Sequence, residues 1–138
     1  LDRSVIGMGS LDSMIKVQER LDRGDWVGML GDRRIHESGA VHVPFLGETA
    51  ALPTAPFRIA ALVGRPVVLM VALYLGSNRY DLHFERLVER PKLDRSRRDA
   101  MIREWAALYA QRLEYYCRLA PYNWFNFYDF WADANARP

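Results

Sequence analysis

Hydrophobic and polar positions along this 138-residue chain fall into short blocks with two different periods. Ser10 reads as an N-cap, and Leu11, Met14, Ile15, Gln18 and Leu21 or Asp22 recur on one helical stripe. The stripe stops at Gly24, which predicts a helix over Leu11–Arg23. Trp26–Leu30 is a short apolar run and reads as a buried strand, followed by a polar loop from Arg33 to Gly39. Ala40–Phe45 alternates, with Val41, Val43 and Phe45 on one side, and predicts a short strand near an edge because Pro44 lacks a donor. Gly47–Pro56 carries two prolines and a glycine and is expected to be irregular.

Pro56 suits the first turn of a helix with Thr54 or Ala55 before it. Phe57, Ala60, Ala61 and Val63 form its apolar face, which ends at Gly64. Pro66–Leu75 is almost wholly apolar, the pattern of a strand covered on both faces. After a Gly76-Ser77-Asn78 turn, Tyr80, Leu82 and Phe84 alternate against Asp81, His83 and Glu85, predicting a half-buried strand in a hairpin with the previous one. Pro91–Asp94 breaks the pattern. A long amphipathic helix then runs from Asp94 or Arg95 to about Leu119, on Met101, Ile102, Trp105, Leu108, Tyr109, Leu113 and Tyr116. Pro121 ends it, and Asn123 caps a last short helix through Trp131, with Trp124, Phe127, Tyr128 and Trp131 on one face and Phe125 and Phe130 off it. Ala132–Pro138 reads as a frayed tail. The expected fold is α/β, a mixed sheet with flanking helices, in a single domain over residues 1–138.

Half of the residues are hydrophobic, which suffices for a sizeable core and argues against disorder over most of the length. The net charge of +2 gives little reason to expect a polyanionic partner. Seventeen arginines against two lysines, Lys16 and Lys92, fit either a coding bias or two-pronged phosphate recognition. Cys117 is the only cysteine, so no internal disulfide forms and a reducing compartment is expected, with the thiol in the core of a helix. No stretch approaches the ~20 apolar residues of a membrane span, and the opening residues show no signal-peptide pattern.

Candidate chemistry begins at Gly31-Asp32-Arg33-Arg34, where the Trp26–Leu30 strand is expected to end. Ligands of α/β proteins sit at such strand ends, where a carboxylate can orient a hydroxyl and an arginine can grip an anion. The alternative is a solvated turn with a local ion pair. His36, His42 and His83 have no aspartate four or five positions downstream and no metal-ligand spacing, so each reads as an ordinary histidine. Glu37-Ser38-Gly39 lacks the nucleophile-elbow glycines, and Gly7-Met8-Gly9 lacks the strand and third glycine of a phosphate loop. The aromatic run from Tyr122 to Trp131 is either docked in a groove or meets lipid. A basic helix between Arg86 and Arg103 either faces anionic headgroups or is an exposed connector.

In order and spacing, several segments match a known pattern. They are Leu21-Asp22-Arg23-Gly24, Gly28-Met29-Leu30-Gly31-Asp32-Arg33, Val41-His42-Val43-Pro44-Phe45-Leu46-Gly47, Leu52-Pro53-Thr54-Ala55-Pro56-Phe57, Gly64-Arg65-Pro66-Val67-Val68 and Pro121-Tyr122-Asn123-Trp124-Phe125. Together they resemble the lysophospholipid acyltransferase superfamily, in its branch of bacterial lipid A (lauroyl or myristoyl) acyltransferases. The resemblance implies a glycerol-3-phosphate acyltransferase-like domain. It implies transfer of a fatty acyl group from acyl-CoA or acyl carrier protein (acyl-ACP) to a hydroxyl of a lipid or glycolipid, with no bound cofactor. Asp32 and Arg33, with Arg34 beside them, would contact the acceptor. Phe45, Gly47, Pro53 and Pro56 would line the substrate groove.

The family's H-x4-D motif, whose histidine is the general base, does not occur in this sequence. It would lie upstream of Leu1, and the missing initiator methionine fits that position. The expectation is therefore the C-terminal portion of a longer acyltransferase domain, inactive alone. It would self-associate through an unpaired edge beside Trp26–Leu30. The location expected is cytoplasmic, peripheral on the inner face of the cytoplasmic membrane. A non-catalytic lipid- or acyl-carrier-binding module is the alternative. Nucleic-acid binding is not expected, because the net charge is small and the aromatics cluster at one end rather than interleaving with arginines.

Overall fold

A computed structural model describes residues 6, 11–33, 39–89, 94 and 96–132. The chain divides into two compact units, Leu1–Leu30 and Gly31–Pro138.

In the first unit, helix α1 spans Leu11–Asp22, as the pattern predicts. Its end follows from Gly24, whose φ of 86° is open to a residue without Cβ. The Gly24 N–H reaches the Leu21 carbonyl and the Asp25 N–H the Arg20 carbonyl, the paired bonds of a Schellman cap. The Ser10 cap lies outside the described residues. Trp26–Leu30 is irregular backbone rather than the expected buried strand, and Trp26 is 81% exposed. A strand is held by the ladder of a neighbour. Among the described residues none pairs with this segment, and Gly28 at its centre adds chain entropy against an extended state.

The second unit contains β1 (Ala40–Phe45), β2 (Glu48–Pro53), α2 (Ala55–Val63), β3 (Val67–Gly76), β4 (Arg79–Val88) and α3 (Arg98–Leu119), then a single 3-10 turn over Pro121–Asn123. It is α and β, as expected. In place of one mixed sheet, however, the described residues form two separate antiparallel hairpins, β1–β2 and β3–β4.

Strand β1 matches its prediction, with Val41, Val43 and Phe45 buried and His42 and Pro44 outward. Strand β2 replaces the expected irregular stretch. Leu46 and Gly47 both take positive φ, 52° and 92°, and the resulting two-residue turn aligns Phe45 with Glu48 and Ala40 with Pro53. Pro53 closes the strand, and Pro44 sits on an edge, so neither breaks a ladder. Helix α2 begins at Thr54-Ala55-Pro56 and is capped by Gly64 at φ 62°, both as predicted.

Helix α3 is the centre of the unit. Ile102, Ala106, Ala110, Leu113 and Cys117 recur every three or four residues and pack on the inner face of β1–β2 with Phe57. Ala106 and Ala110, almost fully buried, allow a close approach. Phe45 and Leu52 lie beneath, and burial of each such side chain contributes about 2–3 kcal/mol. The adjoining side of α3 meets β3–β4 through Tyr116 on Leu69 and Leu73.

Two expectations for the second hairpin are corrected. Strand β3 is covered on one face only, by α3; Met70, Tyr74 and Leu75 are exposed. Strand β4 alternates as predicted, but its polar set faces α3. Glu85 receives a bidentate pair from Arg112 (2.6 Å to each oxygen) and the Tyr116 hydroxyl, while Tyr80, Leu82 and Phe84 point outward. The ion-paired carboxylate fixes the register that side-chain hydrophobicity alone would reverse.

The last expected helix is also absent. After Asn123 the chain is irregular. Phe130, predicted off the apolar face, is buried against Phe45 and Trp124, while Phe127 on that face is 91% exposed. Ring packing of Trp124, Phe130 and Trp131 around Phe45 outweighs two turns of helix. The basic stretch is not one helix either. Arg86 lies on β4, Arg97 precedes α3, Arg98 and Arg103 lie in α3, and Arg90, Lys92 and Arg95 lie outside the described residues.

Candidate functional site

Gly31 and Asp32 form a bend that lies against α3. A Cβ on Gly31 would stand 2.8 Å from the Tyr109 ring, so only glycine lets the backbone pass the helix here. That passage brings the half-buried Asp32 carboxylate to Trp124, whose indole Nε1 donates to it at 3.3 Å.

Two groups of α3, the partly buried Tyr109 and the buried Cys117, register the same carboxylate. Burial first, and then the charge of Asp32, pushes the Tyr109 hydroxyl well above its ordinary range. Burial, followed by Asp32 and Glu114, pushes the Cys117 thiol up to about 11. Both are neutral at physiological pH. Cys117 is core, as its sequence context predicts.

Behind Trp124 stands the aromatic group of Phe45 (ring centroids 5.2 Å apart), Phe130 (5.0 Å) and Trp131 (6.3 Å). In front, the exposed Arg33 lines an open cavity of about 270 Å³ with Phe125, Asn126, Phe127 and Tyr128. The Asn126 amide Nδ2 is buried without a hydrogen-bond partner among the described residues. A guanidinium, an amide and three exposed rings can hold an amphiphile, with its polar group at Arg33 and its apolar part on the rings.

The turn between β1 and β2 is tied to α3 at the same end of the hairpin as Phe45. The Leu46 N–H donates to Glu114 Oε2 at 2.7 Å, and Arg118 grips the other oxygen at 2.7 and 2.9 Å. The Leu46 N–H, and then Arg118, hold the Glu114 carboxyl below its ordinary value.

Of the expected site residues, Arg33 lines this cavity, and Asp32, its neighbour in sequence, is bonded to Trp124 beside it. Arg34 lies outside the described residues, as do His36 and Ser38. Phe45 is interior and supports Trp124 from behind. Gly47 is in the exposed hairpin turn. Pro53 stands at the opposite end of β1–β2, paired with Ala40, and Pro56 is in the first turn of α2, next to Phe57, whose ring lies 5.9 Å from Tyr109. The sequence reading missed Tyr109, which shows only as one position of a helical stripe. It also missed the link from the aromatic run to Asp32; the composition of that run was its one signal.

No described histidine stands at the cavity. His42 is on the outward side of β1. His83 is on β4, with Nε2 3.1 Å from Asp81 but off hydrogen-bond geometry. Among the described residues no three His, Cys, Asp or Glu side chains converge as metal ligands, and no helix is long and apolar enough to cross a membrane.

The family model described as bacterial lipid A biosynthesis acyltransferase matches residues 2–132. The chain belongs to that family. No curated protein and no solved structure matches it. Membership in the lipid A acyltransferase family makes acyl transfer the activity class by resemblance, and the match runs through both Asp32 and the aromatic segment that reaches it.

Proposed function

We propose that this chain is the acceptor-holding portion of an acyltransferase that moves a fatty acyl group from acyl-CoA or acyl-ACP to a hydroxyl of a glycolipid. The observation that carries the reading is the junction of Asp32, fixed by Trp124, with an Arg33-lined cavity walled by Phe125, Phe127 and Tyr128. Arg33 would take an anionic group of the acceptor, Asp32 would orient its hydroxyl, and the rings would lie along its apolar part. Attack of a hydroxyl on a thioester carbonyl needs a base within hydrogen-bond reach. Neither an H-x4-D motif in the sequence nor a described histidine at the cavity meets that need. In this reading the base comes from outside the described residues, as the family resemblance implies. No bound cofactor enters the reaction. The exposed rings suit peripheral contact with a membrane surface, which in this reading is the cytoplasmic face of the inner membrane, where acceptor and donor would meet.

Two measurements test this. Binding of a lipid A-type glycolipid in detergent micelles, read by tryptophan fluorescence, should weaken roughly tenfold in Arg33→Ala and in Asp32→Asn. Thioester consumption by the 138-residue chain alone should stay at background. Unchanged binding in both variants, or acyl transfer by the chain alone, overturns the reading.

A further inference from the structure

The outer face of the β3–β4 hairpin is apolar and continuous, and it is bare among the described residues. Tyr74 stands opposite Tyr80, Ala72 opposite Leu82, Met70 opposite Phe84 and Val68 opposite Arg86, all on the side away from α3. The five large side chains among them, Met70, Tyr74, Tyr80, Leu82 and Phe84, are 42 to 63% exposed. With ~150–250 Å² per aromatic side chain, the face amounts to roughly 500–600 Å², the upper end of what a monomer leaves uncovered.

We infer that this face is a dimer interface with a second copy of the chain, the two hairpins stacked face to face with their strands reversed. The pattern along the face is self-complementary in that orientation. A two-fold axis crossing the strands between the Ala72–Leu82 and Met70–Phe84 pairs lays the small Ala72 over Met70 of the second copy. It also lays Leu82 over Phe84 of the second copy. The ends match in charge as well. Arg86 closes one end of the face, and the Tyr74–Tyr80 ring pair, with centroids 5.3 Å apart, closes the other. Reversal sets each guanidinium over a Tyr80 ring of the opposite copy, twice per dimer. Parallel stacking would instead lay each Arg86 over Val68 of the opposite copy, with both cations at the same end and no ring beneath them. Two such faces cover ~1,000–1,200 Å² in total, at the lower limit of specific interfaces, so the dimer is a micromolar one that forms and dissociates with concentration.

This inference stands apart from the acyl-transfer reading, since the cavity at Arg33 contributes nothing to the face. Sedimentation velocity across the micromolar range tests it. The mass should rise with concentration from 16.0 kDa toward twice that value and no further. Phe84→Glu should weaken association roughly a hundredfold, because each dimer would bury two unpaired carboxylates. Leu82→Ser, which adds no charge, and Arg86→Glu should each weaken it roughly tenfold. Leu62→Glu, an exposed apolar side chain on α2, should leave the dimer intact. Circular dichroism should be the same for all, since every position is exposed. A monomer at every concentration overturns the inference, as does a dimer indifferent to Phe84→Glu. Growth beyond the dimer assigns the association to strand edges. A monomer that binds lipid vesicles through Phe84 assigns the face to a membrane. Either result overturns it too.

Discussion

The indole Nε1 of Trp124 donates to the Asp32 carboxylate at 3.3 Å, across 92 positions of sequence. The bond fastens the C-terminal aromatic segment to the bend that carries Arg33. Trp124→Phe keeps the ring packing on Phe45 and Phe130 and deletes the donor. It should cost about 1 kcal/mol in urea unfolding and loosen glycolipid binding in parallel with Asp32→Asn. Equal effects of Trp124→Phe in the wild-type and Asp32→Asn backgrounds would show that the two side chains are not coupled.

Gly31 has no room for a side chain beside Tyr109. Gly31→Ala should destabilise the chain by about 1–3 kcal/mol, the range for forcing a methyl into a packed contact. In the Tyr109→Leu background, where the obstructing ring is gone, the same change should cost much less. A double-mutant cycle by chemical denaturation measures the difference, and additive losses would contradict the steric cause.

The Glu85 carboxyl is held below its ordinary value of 4.5, first by the Arg112 hydrogen bonds and then by Tyr116. A carboxyl whose pKa is depressed by folding contributes stability above its unfolded-state value, and that contribution is lost as pH falls through the folded-state value. Stability should therefore drop below about pH 4.5 and be level above it as far as Glu85 is concerned. Glu85→Gln should remove part of that slope. The pair is about one-third exposed, so the loss at neutral pH should be only about 1 kcal/mol after solvent screening. Thermal melts of both proteins through the acid range supply the comparison.

With its thiol buried and its pKa pushed up to about 11, Cys117 should resist aromatic disulfide reagents at mildly alkaline pH in the folded chain. It should react at the rate of a free thiol once urea unfolds the protein. Fast labelling of the native state would place the thiol nearer the surface than the fold allows.

Elements whose apolar pattern points at their real neighbours were legible from sequence. Val41, Val43 and Phe45 gave β1, and Pro56 and Gly64 bracketed α2. Strand β2 was hidden because Pro53 reads as a breaker, whereas it only ends the strand, and because the Leu46-Gly47 turn lacks the usual Asn-Gly chemistry. The facing of β4 was hidden for a different reason. Hydrophobicity ranks Tyr80, Leu82 and Phe84 as inward, and only the distant Arg112 makes the Glu85 side the covered one. Trp26–Leu30 was misread because strand propensity is local while a strand needs a neighbour. At the site, Asp32 and Arg33 stood out by charge after an apolar run. Trp124 and Tyr109 did not connect to them, since nothing local encodes a contact spanning most of the chain.

Two hydrogen bonds of the site reach far along the sequence. Leu46 waits for Glu114, 68 positions later, and Asp32 for Trp124, 92 positions later. On a ribosome both hairpins and α2 can form while the residues that complete the cavity are still being added. The cavity is thus assembled last, and a chain released before Trp124 would keep its hairpins yet never close the pocket.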